Sequence, residues 1–181
     1  MKTLTEPVRV NLPGGAEALL GGEAMTCERL ERLSGEASPR VGLTESAWER
    51  VERARRAIVK VIERGDAVYG VTTGFGPFVA YGADRRSEAQ ASGLIAHLAA
   101  GCGPWSPESV ARAAMILRAE VVSRGFAGIR REALEGWLAF VGRGLAPAVP
   151  EVGSVGASGD LTPLAHCVRA CTGEGLCLRA G

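Results

Sequence analysis

The sequence predicts a mainly α-helical protein, and three observations carry that prediction. Apolar residues recur at helical spacing, most clearly at Trp48, Val51, Ala54, Ile58, Val61 and Ile62. Helix-start and helix-stop residues bracket such stretches, as Ser106-Pro107 and Gly65 do. Only residues 8–12 alternate as a short strand would, before the turn at Pro13-Gly14-Gly15.

Taken in order, Thr26 is placed to cap a short helix that runs through Leu30 and Leu33 and stops at Gly35. In the next helix Ser46 and Glu49 make a capping-box pair, with Thr44 as the alternative cap, and Gly65 ends it. Residues 69–82 hold four glycines and a proline and read as a loop. A helix is expected over 86–100. Another has Ser106 as cap and Pro107 as its first residue and ends near Ser123, before Gly125. A further helix covers 130–141, with Trp137 and Leu138 on its apolar side. Pro147 and Pro150 break the chain, a last helix runs over 161–170, and Gly173 and Gly175 mark a turn. No repeat or linker interrupts the pattern, so residues 1–181 read as a single unit, long enough for one core.

Composition narrows the function classes. Apolar residues are 46% and charged residues 23%, a globular balance, and the formal net charge of +1 gives no reason to expect nucleic acid or an anionic membrane as partner. Arginines alternate with glutamates over 49–56, as on a solvated helix face. Residues 1–7 have no apolar core of a signal peptide, and no run of about 18 apolar residues offers a membrane span. The five cysteines, an odd number, fit reduced thiols in the cytoplasm. His166, Cys167, Cys171 and Cys177 are the residues that could serve as metal ligands. Their spacing is not a CxxC pattern, Cys167 and Cys171 lie one helical turn apart, and no metal is expected.

The densest chemistry lies in Gly153-Ser154-Val155-Gly156-Ala157-Ser158-Gly159-Asp160-Leu161-Thr162-Pro163-Leu164-Ala165-His166. Attack of the Gly159 amide nitrogen on the Ala157 carbonyl carbon would close a five-membered ring. Glycine suits the attacking position, because it has no Cβ to block the approach or forbid an unusual φ. Ala157 adds little bulk. The Ser158 hydroxyl can leave as water and convert its Cβ into an exocyclic methylene. Asp160 can cap the following segment, whose N-terminus would favour electron-rich species. As bare glycines, Gly153, Gly156 and Gly159 would read only as a turn, or as a phosphate cradle without the lysine of a P-loop.

As a whole, the run resembles the signature of the aromatic amino acid ammonia-lyases, in which Ala-Ser-Gly forms methylidene-imidazolone (MIO). Tyr69-Gly70-Val71-Thr72-Thr73-Gly74-Phe75-Gly76-Pro77 is similar to the family's tyrosine loop, and residues 123–130 resemble a further segment. The resemblance implies a helical fold. It implies an MIO made from Ala157, Ser158 and Gly159, with Tyr69 as the base that removes the substrate's β-proton. A phenol of ordinary pKa ~10 needs its anion stabilised nearby for that task. It also implies substrate selection at His97 and Leu98, where a His-Leu pair resembles the tyrosine enzymes, as does Thr72-Thr73. Two departures stand against this: Gln90 sits one residue further from the pair than the family spacing, and Gly93 lies in the helix interior. His166 is expected to pack or to support the site rather than to react. The expected reaction is loss of ammonia from L-tyrosine, giving p-coumarate, or from L-histidine, giving urocanate, with an aminomutase as a close variant. The resemblance covers the family's N-terminal part. A homotetramer, or a complementary C-terminal chain without which this one is inactive, is the expected partner.

Overall fold

The computed structural model describes residues 17–76, 79, 87–156 and 159–179. The strand expected at 8–12 lies outside them, as do Ala157 and Ser158. The helical expectation holds, with six helices among the described residues and three two-stranded pairs that the sequence did not announce.

The strands β1 (Glu17–Leu20) and β2 (Arg40–Leu43) run parallel, with Glu17 opposite Arg40 and Leu20 opposite Leu43. Helix α1 (Cys27–Gly35) connects them, and Thr26 caps it by accepting the Arg29 N–H at 3.2 Å. Ala18, Leu20, Val41 and Leu43 turn inward, and Leu19 faces solvent, as the two-residue period of a strand requires. Helix α2 (Glu45–Arg64) follows at once. Its cap is Thr44, which accepts the Ala47 N–H at 3.2 Å, so the alternative cap is the real one. Gly65 ends the helix at φ +79°, donating its N–H to the Ile62 carbonyl at 3.0 Å. Of the predicted apolar stripe only Trp48 and Val51 are buried, beside Ala47; Ile62 is exposed.

Helix α4 (Glu108–Ser123) is the centre of the core. Ala111, Met115, Ile116, Ala119 and Val122 are buried, and the helix packs against α1, α2, β1, α5 (Arg131–Val141) and β4 (Leu145–Pro147). Its start corrects the expected cap. Pro107 is the flanking residue and Glu108 the first helical one, because Pro107 has an extended ψ of 141° and its carbonyl accepts the first helical N–H, from Ala111 at 3.1 Å. The opposite face carries Val110, Leu117 and Val121, which remain exposed. From α5, Leu134, Leu138 and Val141 enter the core, and the Trp137 indole donates to the Met115 carbonyl at 3.0 Å.

Two charged side chains are buried on α4. Glu120 accepts the Gly21 N–H at 2.9 Å, while Arg50 donates to the Gly21 carbonyl at 2.6 Å and to the Ser123 carbonyl at 3.3 Å. These bonds tie the exit of β1 to α2 and α4. Arg112 donates to the Ser34 carbonyl at 2.5 Å and pairs with Glu108 at 3.5 Å. The 123–130 segment wraps against α2. A Cβ at Gly125 would sit 2.7 Å from the Arg50 carbonyl oxygen, so glycine is required there for close approach.

The remaining strands are short. β3 (Cys102–Trp105) pairs antiparallel with β5 (Pro150–Val152), and β4 pairs antiparallel with β6 (Cys177–Arg179). Pro147 and Pro150, expected only to break the chain, lie in such strands, where pairing on one edge alone tolerates a missing N–H. Helix α3 (Ser87–Leu98) packs against α6 (Leu161–Cys171).

Candidate active site

Tyr69 sits on a loop that holds itself together. The Thr72 hydroxyl accepts the Val68 N–H and donates to the Asp66 carbonyl, both at 2.8 Å. The Thr73 hydroxyl accepts the Gly70 N–H at 3.3 Å and donates to the Gly74 carbonyl at 3.0 Å. The Tyr69 ring meets Phe75 edge-on, with centroids 6.1 Å apart, and its hydroxyl oxygen accepts the Gly76 N–H at 3.0 Å. Gly70 has φ +71°, and a Cβ there would lie 2.7 Å from the Phe75 ring. The glycines and threonines of the motif therefore shape the loop, and the phenol is left 63% exposed.

The signature loop begins at β5 and ends at α6. Gly156 at φ +66°, Gly159 at φ +82° and Asp160 at φ +55° are all left-handed, on both sides of the undescribed Ala157 and Ser158. Glycine adopts that region freely, so the backbone cost falls at Asp160, which has a Cβ. The structure corrects the role expected of Asp160. It makes no side-chain cap to α6; its carboxylate instead accepts the Ser154 hydroxyl, which bridges the loop around residues 157–159. The Ser154 oxygen also accepts the Gly156 N–H at 3.3 Å. A Cβ at Gly159 would meet nothing within 4 Å, so its left-handed φ and not packing is what favours glycine there. Left-handed flanks and a closed loop base fit the ring that the sequence implies.

His97 and Leu98 form the last turn of α3. His97 is exposed and Leu98 half-buried, as expected of adjacent helical residues that point about 100° apart. The side chain of Gln90 lies outside the described residues. Gly93 has nothing within 4 Å of a would-be Cβ, so packing does not demand a glycine there.

Just beyond α3 the chain meets the signature loop. The Gly101 N–H donates to His166 Nε2 at 3.3 Å. A Cβ on Gly101 would lie 3.0 Å from Pro150 Cγ, and one on Gly153 would lie 2.8 Å from Thr162 Cγ2 and 3.2 Å from Gly101 Cα. β3 then pairs Cys102 with Val152. The structure thus brings the end of the His97-Leu98 helix against the signature loop. The described contacts of Tyr69 stay within its own loop. Sequence reasoning did not find Gly101, Pro150 or the β3–β5 pairing. The Ala-Gly-x-Gly run at 100–103 was the available signal, since glycines two apart often mark close backbone approach.

An accepting Nε2 is unprotonated, and the surroundings favour that form: burial, and after it the Arg169 charge, hold His166 below its ordinary value. The thiols are quiet. Burial pushes Cys167 up to about 12, and burial followed by Cys167 and Cys177 does the same to Cys171. No cluster of three His, Cys, Asp or Glu suited to a metal occurs among the described residues.

Comparison with known proteins agrees with this geometry. The sequence model of the aromatic amino acid lyase family matches residues 25–181. The histidine ammonia-lyase of Anaeromyxobacter dehalogenans is 43% identical over 158 residues, covering 87% of this chain and 31% of that protein. That of Shouchella clausii is 36% identical over 159 residues, with the same coverage. Among solved structures, a tyrosine aminomutase from Streptomyces globisporus superposes with TM-score 0.84 at 30% identity, over 92% of this chain and 31% of that one. The histidine ammonia-lyase from Trypanosoma cruzi gives 0.79 at 31% identity, over 89% and 31%. The chain spans about a third of the length of these relatives. With a family match over nearly its whole length, the chain belongs to the aromatic amino acid lyase family.

Proposed function

We propose that this chain carries the electrophile-bearing part of an aromatic amino acid ammonia-lyase that converts L-tyrosine to p-coumarate. The observation that carries the reading is the junction at Gly101, which sets the end of the His97-Leu98 helix against the loop holding Ala157, Ser158 and Gly159. Those three residues would hold MIO, which supplies an electrophilic methylidene toward the substrate's amine. Tyr69 takes the β-proton at its hydroxyl oxygen. The electron pair released becomes the Cα–Cβ double bond, and the amine departs as ammonia. The Gly76 N–H fixes the position of that oxygen. His97, exposed at the helix end, exchanges a hydrogen bond with the substrate's phenol, and Leu98 offers the ring an apolar contact. That imidazole discriminates against phenylalanine only where bound substrate and the complementary chain or subunits cover it, because a covered imidazole would then lack a partner.

The remaining binding groups would come from a complementary C-terminal chain or from neighbouring subunits of a homotetramer. All five cysteines are unpaired, as a reducing cytoplasm would keep them. A second reading, L-histidine to urocanate, is favoured by the histidine ammonia-lyases at 36–43% identity. The tyrosine aminomutase likeness favours a third, in which ammonia returns at the β-carbon.

Mass measurement of the peptide spanning 156–160 tests the foundation, and loss of two waters is expected. Tyrosine, histidine and phenylalanine, offered separately, are then followed by ultraviolet absorbance, with p-coumarate the expected product. Ser158→Ala should abolish product and the loss of both waters, and activity that survives it would overturn the mechanism. Tyr69→Phe should cost on the order of 100-fold or more in rate while leaving the mass unchanged. A dehydrated chain that is inert with all three amino acids would point to the complementary-chain arrangement.

A further inference from the structure

Within the reading above, we propose that His166 is a positioning residue, whose neutral Nε2 holds the second end of the signature loop to Gly101, next to Cys102, where β3 holds the first end. The loop leaves β5 and enters α6. Its first end is fixed by β3, through the pairing of Cys102 with Val152. Its second end is fixed by His166, in the second turn of α6, whose Nε2 accepts the Gly101 N–H at 3.3 Å. These anchors are adjacent residues, so the span of the loop is set at a single place.

The packing around that place leaves little slack. Gly101 sits so close to Pro150 and His166 that a Cβ would approach them at 3.0–3.1 Å, and Gly153 packs as tightly on Gly101 and Thr162. The Ser154–Asp160 hydrogen bond then closes the base of the loop. Ring closure between Gly159 and Ala157 needs those residues compressed, and compression persists only where both flanks are fixed. Loss of the Nε2 acceptor frees one flank. Because Gly101 follows α3 by only three residues, the same loss lets His97 and Leu98 drift relative to the loop.

The test uses His166→Phe, which keeps an aromatic ring without an acceptor, and His166→Gln, whose amide oxygen can reach the Nε2 position. Two readouts are taken: amide hydrogen exchange at Gly101, and the fraction of chain that has lost two waters across Ala157-Ser158-Gly159, one by ring closure and one from the Ser158 hydroxyl. His166→Phe should speed Gly101 exchange by about tenfold, the worth of one hydrogen bond, and lower the matured fraction. His166→Gln should restore both. Wild-type exchange and maturation in His166→Phe would overturn the proposal. So would equal losses in the two variants, because the effect would then belong to packing and not to the acceptor. Should His166→Phe fail to fold, nitrogen-15 spectra of the wild-type imidazole decide instead: a bare Nε2 with a protonated Nδ1 supports the proposal, and a protonated Nε2 overturns it. A wild-type chain that never loses water would sink the MIO reading, while the exchange measurement would still decide whether His166 holds Gly101.

Discussion

The Tyr69 loop and the Gly101 junction are built in opposite ways. The first is closed by hydrogen bonds among residues at most seven apart, from Asp66 to Gly76, and lies mostly in solvent. The second joins segments about 50 and 65 residues apart, through one imidazole, two glycines and a two-stranded pairing. A locally closed loop can open without disturbing the core, whereas a junction of distant segments opens only when those segments part. The half of the site proposed to move a proton is thus free to adjust to its substrate. The half proposed to build a strained ring is held rigid.

The strongest way to break this contrast is Gly153→Val. Its Cβ would meet Thr162 Cγ2 at 2.8 Å and the Gly101 backbone at 3.2 Å, and backbone cannot give way as a side-chain tip can. Overpacking of this kind costs about 1–3 kcal/mol. We expect a lower urea midpoint for the whole chain together with a smaller dehydrated fraction. Wild-type values for both would show that the junction is not rigid.

Thr72→Val probes the other half. It removes two hydrogen bonds, to the Val68 N–H and the Asp66 carbonyl, worth about 1 kcal/mol each. Because the loop closes on itself, we expect faster amide exchange at Val68 and Gly70 and an almost unchanged global midpoint. A fall in the midpoint as large as that of Gly153→Val would erase the distinction between the two regions.

The same contrast governs what the sequence could reveal. Helices were legible because their signals are local: Thr26 and Thr44 as caps, Gly65 as a stop, and apolar residues at helical spacing. The Tyr69 loop was legible as a motif for the same reason. The junction was not. β3 contains Gly103 and Pro104, which are poor strand formers, and its partner β5 begins with Pro150; their pairing comes from tertiary context, which no local pattern records. Asp160 misled because an acidic residue before a helix ordinarily caps it, whereas its left-handed backbone turns the carboxylate to Ser154. Ser106 misled similarly, because Pro107 keeps an extended ψ of 141° and so flanks the helix instead of opening it.

Acidification offers the gentlest separation of the two regions. His166 lies at the junction, and the Tyr69 loop contains no histidine. Burial and Arg169 hold His166 below its ordinary 6.5, so between that lowered value and 6.5 the unfolded chain binds more protons at this site than the folded one. Unfolding then takes up protons, and stability falls as pH drops through the window. Above the window the contribution is fully present, and below the folded value nothing further is lost. Protonation of Nε2 also removes the acceptor of the Gly101 N–H. The wild-type urea midpoint should therefore decline below about pH 6.5 more steeply than that of His166→Gln, which has no imidazole to charge. The difference should be smaller than the loss in Gly153→Val, because it cancels one hydrogen bond without inserting any atom into the packing. Parallel pH profiles for wild type and His166→Gln would mean that the imidazole is not held neutral at the junction, and the proposed anchoring at Gly101 would fail with it.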